Sequence, residues 1–167
     1  MTNRSVIFFL AMVLIIPCFL TGCGKSPEEK AIEKFVQQKS GGKVSVDMSQ
    51  GKVTVKEGNT TVTSGGNVQV PDTFPKDVPI YPKTQVLNSL TAGDMVHLTL
   101  ISQENIEKIV ASYKEQMKQQ GWKEITSFAM GTTVTMGYDK DNRHATIAVS
   151  EMEKGKNGIQ LQVSQKK

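Results

Sequence analysis

The stretch SQENIEKIVASYKEQMKQQGW, residues 102–122, decides the fold. Ile106, Ile109, Val110, Tyr113 and Met117 recur at the spacing of a single helical stripe. Ser102 stands ahead of the run as its opening residue, and Gly121 stops it. Trp122 falls where an apolar side chain closes a Schellman motif against Met117. The spacing predicts one amphipathic helix over 104–120.

The flanking sequence changes period from 3.6 to two. Val96, Leu98 and Leu100 alternate with polar neighbours, as do Ala145, Ile147 and Val149, and Ile159, Leu161 and Val163. These patterns predict strands at 85–91 and 94–101, joined at Ala92-Gly93, and at 123–129, 132–138, 144–152 and 158–164. An antiparallel sheet covered by one long helix is an α+β two-layer sandwich.

Upstream, residues 71–83 (PDTFPKDVPIYPK) hold four of the six prolines, so they cannot form a central strand. Phe74, Val78, Ile80 and Tyr81 among them predict a strap lying on a core. Residues 43–70 read as a small β-meander: Val44, Val46 and Met48 alternate, then Val53 and Val55, then Val68 and Val70. Before it, Ser26-Pro27-Glu28-Glu29 is a helix start with a capping box, and Gly41-Gly42 is its stop. The stripe Ile32, Phe35 and Val36 is narrow and lacks flanking Trp or Arg. It is therefore expected to face a core in preference to a membrane.

The first 22 residues have a different character. Arg4 is followed by fifteen apolar residues, 6–20, then Thr21, Gly22 and Cys23. A charged start, a short apolar run and small residues make an export signal. The run falls short of the ~20 residues that span hydrocarbon. The Gly24-Lys25-Ser26 that follows is no phosphate loop, because Phe19 stands where the loop needs glycine. The organisation expected is a signal peptide over 1–22, a helix-plus-meander subdomain over 23–70 and the strap with its sandwich over 71–167.

Leu20-Thr21-Gly22-Cys23 closely resembles the lipobox of bacterial lipoproteins. The resemblance implies cleavage between Gly22 and Cys23 and a palmitate-bearing lipid on the Cys23 sulfur. It places the chain on the extracytoplasmic face of the cell membrane, or at the outer membrane of a host with two. Cys18, preceded by Pro17, fits no such site and leaves with the signal, so the mature chain has no disulfide. Phe74-Pro75-Lys76-Asp77-Val78-Pro79-Ile80-Tyr81-Pro82, with Tyr113 to Met117 and Gly121-Trp122, is similar to a family of bacterial lipoproteins of unknown function. That family carries an FPxDVPIYP strap and a YxxxLxxxGW helix end; Met117 stands where the pattern has Leu. The resemblance brings no activity with it.

Composition bounds the chemistry. The whole chain carries +4, and loss of Arg4 with the signal leaves +3 on mixed-sign residues, with no clustering suited to nucleic acid. His97 and His144 both alternate out of phase with their apolar neighbours, on the face away from the core, and lack a third metal ligand. Asp139-Lys140-Asp141-Asn142 departs from a calcium loop at Arg143 and His144 and reads as a hairpin turn. Glu28/Glu29 and Glu151/Glu153 are solvated surface pairs. No Gly-x-Ser-x-Gly elbow occurs, and acylation removes the last thiol. The expectation is a non-catalytic binding or adaptor module, with no metal and no cofactor. It is held to the membrane through Cys23 and engages an envelope protein or cell-wall component. A small envelope hydrolase and a ligand-carrying lipoprotein are the alternatives, though so small a sandwich leaves little room for a 300–1,000 Å³ pocket.

Overall fold

Asn105, not Ser102, opens the helix. Its side-chain oxygen accepts the Glu107 N–H at 2.8 Å, which satisfies one of the donors that a helix start leaves unpaired. The computed structural model describes residues 26–49, 51–66 and 68–166. Within them the chain runs α1 (Pro27–Lys39), β1 (Val44–Ser49), β2 (Lys52–Glu57), β3 (Thr60–Gly65), β4 (Gln85–Ala92), β5 (Met95–Ser102), α2 (Ile106–Gln119), β6 (Lys123–Met130), β7 (Thr133–Lys140), β8 (Arg143–Glu153) and β9 (Lys156–Gln165). Ser102 instead ends β5, and its hydroxyl accepts the Glu104 N–H.

The nine strands form one antiparallel sheet in the order β1-β2-β3-β4-β5-β9-β8-β7-β6. The fold is α+β. The expectation of one long helix covering the sheet is corrected, because α2 has 14 residues. At 1.5 Å per residue it is roughly 21 Å long, while nine strands at ~4.8 Å spacing are almost twice as wide. α2 packs on β6 and β8. The strap completes this side: Phe74 and Val78 are buried with Leu98, Leu100, Ile147 and Leu161, and Ile80 and Tyr81 pack against them. Val68 and Val70, expected in a strand, lie in irregular chain; Val68 is buried, and Val70, partly buried, packs against that cluster.

The helix ends as the sequence predicts. Gly121 has φ 81°, its N–H reaches Lys118 O at 3.0 Å, and the Trp122 N–H reaches Met117 O at 2.9 Å. These are the two bonds of a Schellman motif, and they require a residue at ease in the left-handed region. Met117 and Trp122 then share the buried cluster.

The meander continues the sheet through the β3–β4 pairing, but its apolar face is the other one. Opposed residues of an antiparallel pair share a face. Register carries Leu98 to Ser89, Thr63, Thr54 and Asp47, a polar row on the α2 side. Val46, Val55, Val62 and Leu90 form the neighbouring row with His97, on the far side. The strand period in each piece is legible, but the sheet turns its apolar side over between β3 and β5.

α1 begins with the expected box: the Glu29 N–H donates to Ser26 Oγ at 3.1 Å, and the Ser26 N–H donates to Glu29 Oε2 at 2.7 Å. The expectation that its stripe faces a core is overturned, since no residue of α1 is buried. The helix lies against the β1 edge through polar atoms. Glu33 Oε1 accepts the Met48 N–H at 2.7 Å, and Ser40 Oγ accepts the Val44 N–H at 3.2 Å.

Candidate functional site

Cys23 and Gly22, the expected lipidation and cleavage residues, lie outside the described residues, as does Cys18. Both histidines sit on the sheet face away from α2, as their parity predicts. His97 opposes Gln162 and His144 opposes Ser164, so the two flank β9 two positions apart. Two strand spacings separate their backbones by roughly 10 Å. Burial pushes the His97 imidazole below its ordinary value, and Nε2 lies 3.3 Å from Thr99 Oγ1. His144 Nδ1 meets Asp139 Oδ1 at 2.8 Å. Lys166 meets that carboxylate from its other oxygen at 2.8 Å, and these two partners hold Asp139 below the usual carboxylate range. Among the described residues no group of three or more His, Cys, Asp or Glu could hold a metal ion, and no helix is long and apolar enough to cross a membrane.

The strap carries a charged cluster that sequence reasoning missed. Arg143 grips Asp77 with both guanidinium nitrogens, at 2.9 and 2.7 Å, and Lys140 Nζ binds the same carboxylate at 2.7 Å. The guanidinium lies 4.9 Å from the Trp122 ring, whose Nε1–H donates to Asp77 O at 2.9 Å. Lys140 also reaches Gln120 O at 2.7 Å, at the end of α2. The Arg143 bonds, followed by Lys140, hold the Asp77 carboxyl far below its ordinary range despite some desolvation. The Asp and the Trp of the two motifs thus meet in one clamp joining strap, helix end and the β7–β8 hairpin. No short-range signal links Asp77 to basic residues more than 60 positions away. The Asp139–Asn142 stretch is the hairpin turn expected of it, with Asp141 at φ 53°.

Two surfaces remain for recognition. One is an open groove of about 830 Å³ at the end of the sheet, walled by Tyr81, Lys83, Leu87, Ile101, Glu104 and Lys156. It is roomier than so small a fold was expected to allow. Its wall is tied down: Asn157 Nδ2 donates to Glu104 O at 2.7 Å, and the Ser102 hydroxyl is buried beneath. Lys83 holds φ 56°, a conformation that disfavours any residue with a Cβ. Beside the groove, the Tyr113 ring packs 6.2 Å from Tyr81, and its deeply buried hydroxyl is raised well above the usual phenol value by desolvation.

The other surface is β6. It forms one edge of the sheet, all eight of its residues are exposed, and they include Ile125, Phe128 and Met130. Phe128 opposes Thr135 and Met130 opposes Thr133, so both project on the face away from α2. A bulge between Glu124 and Thr126 twists the start of the strand.

No curated protein and no solved structure matches the chain. The sequence model of a family described as START domain-like matches residues 84–166, which takes in β4 to β9 with α2 and leaves α1, the meander and the strap outside.

Proposed function

We propose that the mature protein is a lipid-anchored, extracytoplasmic binding module that holds an envelope partner without catalysing a reaction on it. The observation that carries this reading is the β6 edge. Unpaired edge strands template pairing with another chain, and soluble proteins normally blunt them. The β1 edge is blunted, through Glu33 and Ser40 of the α1 segment. β6 presents Phe128 at 50% and Met130 at 73% exposure beside its free backbone. A partner that adds a strand would find hydrogen bonds along β6 and an apolar seat on one face. The match to a START domain-like family supports a binding function in general terms.

The expected result is that a photo-crosslinking side chain at 128 gives a discrete adduct in intact cells, while the same probe at Lys108 on α2 does not. Met130→Lys should weaken the adduct at 128 without changing the melting temperature. Equal labelling from both positions would count against a β6 partner.

The anchor has its own test. Cys23→Ala should lose palmitate labelling and accumulate as an uncut or released chain. Labelling that survives the substitution would show that Leu20-Thr21-Gly22-Cys23 is not the acylation site.

The groove favours a second reading, a carrier of a small amphiphile. Leu87, Ile101 and Tyr81 supply its apolar wall, and Lys83, Lys156 and Glu104 supply charged groups around a volume of ligand size. Protection of Lys83 from acylating reagents by an extracted ligand, with β6 still freely labelled, would favour the carrier over the adaptor.

A further inference from the structure

α1 is a helix without a hydrophobic partner. Thirteen residues make a marginal helix in water even for strong formers, and in proteins the missing stability comes from an apolar face packed on something. Here the capping box fixes the start, but no side chain is buried, and Ile32 and Phe35 are 47% and 61% exposed. The helical period places Val36, Glu33 and Ser40 toward β1, as the Glu33–Met48 and Ser40–Val44 bonds require. It turns Ile32 and Phe35 to another side, in one stripe with Glu28 at its start and Lys39 at its end.

The charges divide between that stripe, which holds Glu28 and Lys39, and the side of Lys30 and Lys34. Of the helix's acids, Glu29 is taken up by the cap and Glu33 by the Met48 N–H, which leaves Glu28 in solvent at the first turn. Lys30, Lys34 and Lys39 are all exposed. Lys39 Nζ stands 5.8 Å from the Phe35 ring centroid, its stem alongside the apolar side chain. Phe35 and Ile32 on one side, with the Lys39 stem running beside them to its charged end, suit an anionic lipid surface.

Position supplies the occupant. Cys23 precedes Pro27 by four residues, and four peptide steps reach at most roughly 14 Å. We infer that α1 lies in the headgroup–acyl boundary of the membrane that holds the chain, with Ile32 and Phe35 immersed and Lys39 reaching the anionic surface. This rests on acylation of Cys23. It gives the module a fixed posture at the membrane, because one lipid chain fixes a point and an immersed helix fixes an orientation.

The test uses the full lipidated chain, whose acylated Cys23 leaves no free thiol. An environment-sensitive label is placed at Phe35→Cys or at Gln37→Cys, and each protein is reconstituted into vesicles of phosphatidylcholine and phosphatidylglycerol at three to one. Acyl-chain brominated lipid should quench the label at 35 about threefold more than at 37, as expected for a helix face buried 5–10 Å deep. Adding Ile32→Lys should bring the 35 label to the level of the 37 label while the protein still floats with the vesicles. Equal quenching at both positions in a floating protein overturns the helix proposal and leaves the anchor standing. A concentration-dependent disulfide between two copies of unlabelled Phe35→Cys under oxidant, with no quenching in the labelled protein, also overturns it, because α1 then faces a second copy. If the protein does not float, the anchor reading fails. The label at 35 in vesicle-mixed protein then decides the helix alone, absence of quenching counting against it.

Discussion

Replacing Trp122 with alanine is expected to lower the unfolding free energy by ~3–5 kcal/mol, the range for removing a large buried aromatic side chain. The ring is 3% exposed and sits in the main cluster with Met117, Tyr113 and Tyr138. Its loss is more than a cavity. The Asp77 carbonyl loses the Nε1–H, the Arg143 guanidinium loses the aromatic face beneath it, and the Schellman motif loses its apolar closure. Trp122→Phe should separate these effects. It keeps most of the apolar body and a π-face but drops the indole donor, so the buried carbonyl loses a bond worth about 1 kcal/mol. Urea unfolding followed by circular dichroism checks both variants, with iodide quenching of Trp122 in the wild type as control. An indole open to iodide, with no loss of stability in Trp122→Ala, would contradict the burial.

Trp122 also shows what a sequence can disclose. The stop of α2 was legible because Gly121 and Trp122 act on bonds formed within five residues. The strand periods were legible for the same reason: side-chain alternation is local. The N-cap was misread by three residues because Ser102 and Asn105 are both good caps, and the pairing of β5 with β9 decides between them. The meander's first two strands were visible in Val46 and Val55, but its third was sought at Val68 and Val70 and not at Val62, and nothing local showed that the row faces away from α2. That depends on β3 docking on β4 with Val62 opposite Leu90 and not opposite Ser89, one step of register. α1 was misjudged because a stripe of Ile32, Phe35 and Val36 reads the same whether a protein core or a lipid surface receives it. The candidate surfaces were the least legible. The groove collects residues from three separate stretches, 81–87, 101–104 and Lys156, and β6 becomes an edge only through the order of the whole sheet.

Asp77→Asn is expected to flatten the acid limb of the stability profile. The wild-type carboxylate is held by Arg143 and Lys140, so its folded pKa lies below the unfolded value of about 3.9. A depressed carboxyl contributes stability that is fully present above the unfolded pKa and is lost as pH falls through the folded one. The wild type should therefore hold its stability from neutral pH to about pH 5, then lose it steadily toward pH 2. The asparagine variant should start lower at pH 7, by about 1–3 kcal/mol, because two cations converge on a neutral side chain at a partly exposed site. The two profiles should then converge as acid protonates the wild-type group. Slope remaining in the variant belongs to other depressed carboxyls, Asp139 beside Lys166 and His144, and Glu104 beside the Asn105 N–H and Lys108. Added salt should shrink the gap at neutral pH without closing it, since bidentate bonds at 2.7–2.9 Å are screened less than solvated charges. Because Lys140 also reaches Gln120 O and Arg143 covers Trp122, the loss should be cooperative with the strap. The double variant Asp77→Asn, Trp122→Phe should accordingly cost less than the sum of its parts, as residues sharing partners do. Parallel acid limbs for wild type and Asp77→Asn would show that the clamp is a crowded set of surface charges and not the link that fastens the strap to the sheet.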